Sequence, residues 1–238
     1  MLDIQQLPVL TDNYIYLLRC TETGTTAVVD PAQAQPVMAA LGATKLDMIL
    51  NTHHHNDHVG GNAALVDQYG CTVIGAAVDA ARIPCIRQQV AEGDTVHVGH
   101  CAATVLFVPG HTRGHIAYYF AKDSALFCGD TLFAGGCGRL FEGTPEQMFA
   151  SLQKLAALPD DTRIFCAHEY TQANMAFACH IAPDNPAIAE RAGNVSRLRE
   201  QGKPTVPSTL GVEKKTNVFL LAKTTDTFAE LRRKKDSF

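Results

Sequence analysis

No stretch of this 238-residue chain approaches the roughly 18–20 consecutive apolar residues of a membrane-spanning helix, which excludes a helical membrane protein. The opening MLDIQQLPVLTDNY carries an acid at its third position and no basic segment leading into an apolar run, so it does not read as a secretory signal. No C-x-x-C pair occurs among the eight cysteines, Cys20, Cys71, Cys85, Cys101, Cys128, Cys137, Cys166 and Cys179. Several lie inside apolar runs such as ALFCGD and RIFCAH. Together these absences point to buried, reduced thiols in a cytoplasmic protein rather than a disulfide scaffold. A basic excess is missing too. With 20 Lys+Arg against 24 Asp+Glu the formal charge is −4, which argues against a nucleic-acid partner held by overall positive charge. Internal repeats and low-complexity tracts are absent.

What is present suits a globular α/β chain, with 46 % hydrophobic and 18 % charged residues. Short, partly β-branched or aromatic runs predict strands at 13–19, 25–30, 46–52, 71–75, 103–109, 115–121, 125–130 and 163–168. Helical patterns are predicted at 36–42, 61–70 and 144–159. The last has the clearest start: Thr144 as N-cap, Pro145 at the first position, Gln147 to close a capping box, and Met148, Phe149, Leu152 and Leu155 on one face. Beyond about residue 170 the strand signals fade and three helical segments follow, the last ending in RRKK. The expected division is therefore an α/β domain over 1–170 and a small, mainly helical part over 171–238.

Four groups of metal-ligating residue types each follow an apolar strand directly: MILNTHHHNDH, VLFVPGH ending at His111, ALFCGD ending at Asp130, and IFCAH ending at His168. Strand ends are where layered α/β folds present functional side chains on loops. In THHHNDH, extended-chain parity would point His53, His55 and Asp57 one way and His54 and Asn56 the other, with His58 at the turn before Gly60 and Gly61. Seven candidates result: His53, His55, Asp57, His58, His111, Asp130 and His168. A single tetrahedral zinc needs three or four ligands, so the set could serve two adjacent metals better than one. His54 is read as a supporting side chain, as is His115. His97, His100 and His180 have no partners in the pattern. The glycines are read as turn formers and make no dinucleotide fingerprint.

The succession T-H-x-H-x-D-H, PGHT, CGDT and AHEYT resembles the metallo-β-lactamase superfold, a four-layer αββα sandwich. Within it, GDTLFAGGCGRLFEGT and the terminal LRRKKDSF resemble the hydroxyacylglutathione hydrolases, or glyoxalase II. The resemblance implies that His53, His55 and His111 hold one metal, that Asp57, His58 and His168 hold a second, and that Asp130 bridges them. It also implies two divalent ions, zinc first with iron or manganese compatible, and a metal-bridging hydroxide through which Asp57 and Asp130 serve catalysis. The implied reaction is hydrolysis of S-D-lactoylglutathione to glutathione and a 2-hydroxy acid, the second step of methylglyoxal detoxification. On the substrate side it assigns Arg232 and Lys235, three apart on one helical face, together with Arg139 and Tyr170, to glutathione. The chain departs from the animal pattern at Arg139 (Lys there) and Phe141 (Tyr there). No nucleic acid or membrane is implied as partner, and a monomer is expected. The competing reading, a persulfide dioxygenase with a single iron on the same superfold, would leave His58 and His168 spare. Without the family match, RRKK would read as a solvated helix end.

Overall fold

A computed structural model describes all 238 residues, which separate into two compact units: Met1–Phe107 with Gly114–Gly129, and Val108–Arg113 with Asp130–Phe238. The first unit carries two sheets. One runs in the order β1 (Leu2–Val9), β2 (Asn13–Cys20), β3 (Thr26–Val29), β4 (Met48–Leu50), β5 (Thr72–Ala76), β6 (Ile86–Val90). Its first three strands are antiparallel and β3 to β6 are parallel. The crossovers between parallel strands carry α1 (Ala34–Leu41), then α2 (Asn56–Val59) and α3 (Asn62–Tyr69). The second sheet is an antiparallel run of β7 (Thr95–Val98), β8 (Cys101–Phe107), β9 (Ile116–Phe120) and β10 (Ala125–Gly129).

Both faces of the first sheet are covered, which explains why β2 is apolar almost without alternation. Ile15, Leu17, Val28, Ile49 and Val73 pack with Val37 and Leu41 of α1 and Leu65 of α3. On the other face Tyr16 meets Phe127 of β10 edge-on at 5.4 Å, and Tyr118 of β9 donates its hydroxyl to the Asn51 carbonyl at 3.0 Å. The two sheets of this unit therefore share a core, and the loops after β3 and β4 leave from it.

The second unit is mainly helical. It contains a hairpin of β11 (Leu132–Phe133) and β12 (Gly136–Cys137), α4 (Pro145–Ala156), β13 (Arg163–Cys166) paired with β14 (Ser208–Thr209), and helices α5 (Thr171–Ile181), α6 (Pro186–Glu200), α7 (Leu210–Thr216), α8 (Val218–Leu221) and α9 (Thr225–Asp236). The capping box of α4 is formed: Gln147 N donates to Thr144 Oγ1 at 3.3 Å, and Thr144 N donates to Gln147 Oε1 at 3.0 Å. An aromatic spine of Phe149, Phe228, Phe219 and Phe177 joins α4, α9, α8 and α5, with ring centroids 5.8–6.1 Å apart.

Several elements escape the sequence pattern. The strand β1 was not expected; its Gln5-Gln6 pair and Pro8 dilute the alternation, and an edge strand tolerates proline because one side of its backbone needs no ladder partner. The polar strand β6 is the opposite edge of the same sheet. The helices α7 and α8, seven and four residues long, are too short to show a period. The expectation of uniformly buried thiols needs correction. Cys85 is exposed, in a left-handed backbone position at φ 61°, and Cys179 is half-buried, whereas the other six are buried.

Candidate metal centre

The run THHHNDH does not continue β4 as an extended chain. His55 is the N-cap of the one-turn helix α2, and His58 N and Val59 N donate back to the His55 carbonyl at 2.9 and 3.2 Å. The strand itself ends at Leu50, and the helical turn rather than strand parity places Asp57 and His58. Four of the expected ligands gather here within the first unit: the His53 ring lies 4.7 Å from that of His55 and 4.0 Å from that of His58, and His58 Nε2 is 3.5 Å from Asp57 Oδ2.

A residue outside the expected set organises this loop. Asp30, at the end of β3, accepts from Thr52 N at 2.8 Å and Thr52 Oγ1 at 2.6 Å, and its Oδ2 lies 3.0 Å from His58 Nδ1. One buried carboxylate thus ties both ends of the run and fixes which nitrogen His58 presents to a ligand. Its backbone is in the left-handed region at φ 48°, a costly conformation that Asp tolerates better than most residues. The signal was visible in TTAVVD, an apolar strand ending in Asp just as ALFCGD does. Asn13 adds a donor to Asp57 Oδ2 at 3.0 Å. His115 stacks on His53, with centroids 4.6 Å apart and planes at 20°, so it supports that ring. Gly129, at φ 47°, leaves the space this requires: a Cβ there would meet Thr52 Oγ1 at 2.3 Å and the His115 ring at 2.9 Å.

The other three candidates gather within the second unit. The Asp130 carboxylate reaches two imidazoles at once, with Oδ2 3.3 Å from His111 Nε2 and Oδ1 3.4 Å from His168 Nε2. The far nitrogen of His111 is bonded to the Arg139 carbonyl at 2.8 Å, which directs Nε2 toward Asp130. These spacings test the fit to a metal. Two ligand atoms each ~2.1 Å from one ion in tetrahedral geometry lie about 3.4 Å apart. The pairs His58–Asp57, His111–Asp130 and His168–Asp130 all lie close to that separation, longer than a good hydrogen bond and right for pairs of ligands sharing an ion. The donors, imidazole nitrogens and carboxylate oxygens, suit divalent metals; the residues present fit.

His111 and Asp130 also line a cavity of about 500 Å³ in the second unit, together with Phe133, Cys137, Arg139, Phe141, Tyr170, Asn174, Arg232, Lys235 and Phe238. All four expected substrate contacts are therefore in one pocket, but not equally available. Arg232 is buried; its Nη1 donates to the Cys137 carbonyl at 2.8 Å, its Nη2 and Nε to Asp236 Oδ1 at 2.8 and 3.2 Å, and it packs over the Phe219 ring at 5.1 Å. Lys235 Nζ donates to the Ala173 carbonyl at 2.9 Å and lies over the Phe177 and Phe238 rings. Burial first, then repulsion from Arg232 and Arg139, pulls its ammonium pKa below the usual lysine range. Arg139 is exposed, 3.7 Å from Asp236. Tyr170 stacks flat on His168, with centroids 4.7 Å apart at 3°. Phe141 is exposed, its ring 5.1 Å from that of His111. Burial pushes the Cys137 thiol up to about 11, so it stays protonated at neutral pH and is no nucleophile.

Sequence reasoning also missed Glu213. It is fully buried on α7, bonded to Arg191, to Ser208 Oγ, to Gly135 N at 2.8 Å and to Asn217 Nδ2 at 3.1 Å. Asn217 in turn donates to the Gly136 carbonyl at 2.9 Å. The pair holds the β11–β12 hairpin, which supplies Phe133 and Cys137 to the pocket wall. No spacing in GVEKKTN marks this role.

Residues 10–168 match the model of the metallo-beta-lactamase superfamily, and 169–238 match that of the hydroxyacylglutathione hydrolase C-terminus. The hydroxyacylglutathione hydrolase of Methylococcus capsulatus is 53 % identical over 254 aligned positions, covering 100 % of this chain and 99 % of the relative. That of Rhodospirillum rubrum is 54 % identical with the same coverage. The chain belongs to the hydroxyacylglutathione hydrolase family. Its fold is the mixed α/β architecture of the metallo-β-lactamases with a C-terminal helical region. Among solved structures, ETHE1 from Myxococcus xanthus is similar at a TM-score of 0.75 and 27 % identity, covering 97 % of this chain and 90 % of that one. TTHA1623 in a di-iron-bound form is similar at 0.65 and 27 %, covering 92 % and 100 %. ETHE1 is far more distant in sequence than the hydrolase relatives, so the dioxygenase alternative is not favoured. No helix of this family member is long and apolar enough to cross a membrane.

Proposed function

We propose that this chain hydrolyses S-2-hydroxyacylglutathiones, S-D-lactoylglutathione foremost, to glutathione and the 2-hydroxy acid, as the second step of methylglyoxal detoxification in the cytoplasm, acting as a monomer. The observation that carries this reading is the 500 Å³ cavity, in which metal-donor residues His111 and Asp130 share walls with the cations Arg139, Arg232 and Lys235. Asp236 lines the same cavity and pairs with Arg232, which leaves Arg139 and Lys235 to meet the two carboxylates of glutathione; a neutral thioester would have no use for them.

His53, His55 and His111 would hold one ion, Asp57, His58 and His168 the other, with Asp130 shared, and zinc is the metal we expect. The ions, when bound, supply a water of low pKa as nucleophile and polarise the thioester carbonyl. The chain's own residues do the rest. Asp30 and Arg139 fix the tautomers of His58 and His111 through Nδ1. The stacked Tyr170 and the edge of Phe133 form an apolar wall that keeps bulk water from the His168 side. Lys235 and Arg139 offer charge to the glutathione carboxylates. The departing thiol has a pKa near ~8.5, so it leaves with little protonation and no acid needs to be poised beside it.

The test is turnover of S-D-lactoylglutathione against a thioester lacking glutathione, with metal content and oxygen uptake measured on the same sample. Preference for the glutathione thioester, two ions per chain and no oxygen uptake are expected. Oxygen consumption with a single iron, or equal turnover of both thioesters, would overturn the reading.

A further inference from the structure

The middle of the THHHNDH run is held by residues that the proposed chemistry does not use. His54 projects away from its neighbours His53 and His55, its ring at 85° to that of His53 and 66° to that of His55. It meets Asp79, at the end of the single 3-10 turn that follows β5, with Nδ1 3.0 Å from Asp79 Oδ2. Its other nitrogen, Nε2, lies 3.1 Å from Arg82 Nη1. Arg82 closes the triangle, its Nη2 and Nε both donating to Asp79 Oδ1. A guanidinium can only donate, so Nε2 of His54 accepts, and its proton sits on Nδ1 and goes to Asp79. Both nitrogens are thereby engaged away from any ion that His53 and His55 hold.

The anchor is itself rigid. Asp79 is 1 % exposed. Its carboxyl fills the space a side chain would take at Gly114, where a Cβ would come within 2.2 Å of it. The loop from Thr52 to His55 has no regular secondary structure, and its ends are fixed elsewhere: Thr52 and His58 by Asp30, and His55 by the first turn of α2. Three consecutive histidines alternating in direction need a restraint on the one pointing outward; otherwise rotation at residue 54 would carry both neighbouring imidazoles with it. Outer partners that fix ligand orientation are typically worth about 10–100-fold in metal affinity.

We propose that Asp79 and Arg82 are positioning residues for the metal-binding run, acting through His54 to set the directions of His53 and His55. This rests on the reading that His53 and His55 hold metal. The experiment is zinc titration of the metal-stripped full chain against a chromophoric chelator, for the wild type, Arg82→Ala, Arg82→Lys, His54→Ala and, as control, His55→Ala, with thermal melting of each metal-free protein. Arg82 and His54 are partly exposed, so these variants avoid removing the buried Asp79 itself. The expected result is a loss of about 10–100-fold in zinc affinity for Arg82→Ala and His54→Ala, partial recovery in Arg82→Lys, and near-complete loss of one ion in His55→Ala. Wild-type affinity in both Arg82→Ala and His54→Ala, with His55→Ala impaired, would overturn the proposal even if their melting temperatures fell, because the triangle would then serve folding only. Wild-type affinity in His55→Ala would instead remove the metal reading beneath it.

Discussion

Replacing Asp130 by Asn separates the metal reading from a structural one, because the two predict opposite effects with and without metal. Asp130 Oδ2 and Oδ1 lie 3.3 and 3.4 Å from His111 and His168, so each oxygen serves one imidazole. Asparagine keeps the shape but converts one oxygen to an NH₂ donor and removes the charge, so one ion loses its carboxylate arm. Breaking a buried charge pair costs about 3–5 kcal/mol, which corresponds to a loss of about 10²- to 4 × 10³-fold in affinity for that ion at 1.4 kcal/mol per decade. In metal-free protein the sign reverses, since Asn buries no charge between two imidazoles; the apo variant should melt at or above the wild type. Zinc at 100 times its dissociation constant stabilises a protein by about 2.7 kcal/mol. That is roughly 5–11 °C for a chain of this size, and the variant should lose most of it. Scanning fluorimetry with and without zinc, metal content, and turnover of S-D-lactoylglutathione measure all three effects. A variant that keeps two ions and full turnover, or whose metal-free form melts far below the wild type, would refute the bridging role.

Two further predictions concern the substrate side. Arg232→Ala should raise KM for S-D-lactoylglutathione more than it lowers kcat, and it should also destabilise by ~2 kcal/mol, or about 4–8 °C, because the guanidinium donates to Cys137 and Asp236; an unchanged KM with the melting loss alone would leave Arg232 a purely structural residue. For Lys235 the lowered ammonium pKa means that its charge is lost at a lower pH than the usual 10.5. KM should therefore rise as pH climbs through that lowered value, while Lys235→Arg, whose guanidinium does not titrate there, should flatten the rise. Over the same window the unfolded chain binds more protons at this site than the folded one, so the lysine's contribution to stability grows with pH as its binding role fades. A KM that is flat in the wild type would disconnect Lys235 from the substrate.

The kinds of atom at the centre were legible from sequence because strand ends in α/β folds present loop side chains, and four apolar runs each ended in His or Asp. The capping box of α4 and the helical character beyond residue 170 were legible too, being local patterns that need no partner to be recognised. Parity within THHHNDH was a different matter. It nominated His53, His55 and Asp57 on the assumption of extended backbone, whereas α2 begins at Asn56 and the turn places Asp57 and His58. A run of seven residues cannot reveal where its own backbone changes period.

What the sequence determined by itself was chemistry: seven candidate imidazole and carboxylate donors, a basic terminal helix, and a composition able to bury a core. Tertiary structure alone decided which groups restrain them. Asp30 lies 22 residues before Thr52 and Asp79 lies 25 residues after His54, yet both carboxylates close on the same short run. Arg232, read from the family resemblance as a glutathione contact, places its donors on Cys137, 95 residues away, and on Asp236 within its own helix. The physical reason is common to all three. A buried polar group must find its partner wherever the fold brings one within hydrogen-bonding reach, and sequence distance carries no information about that.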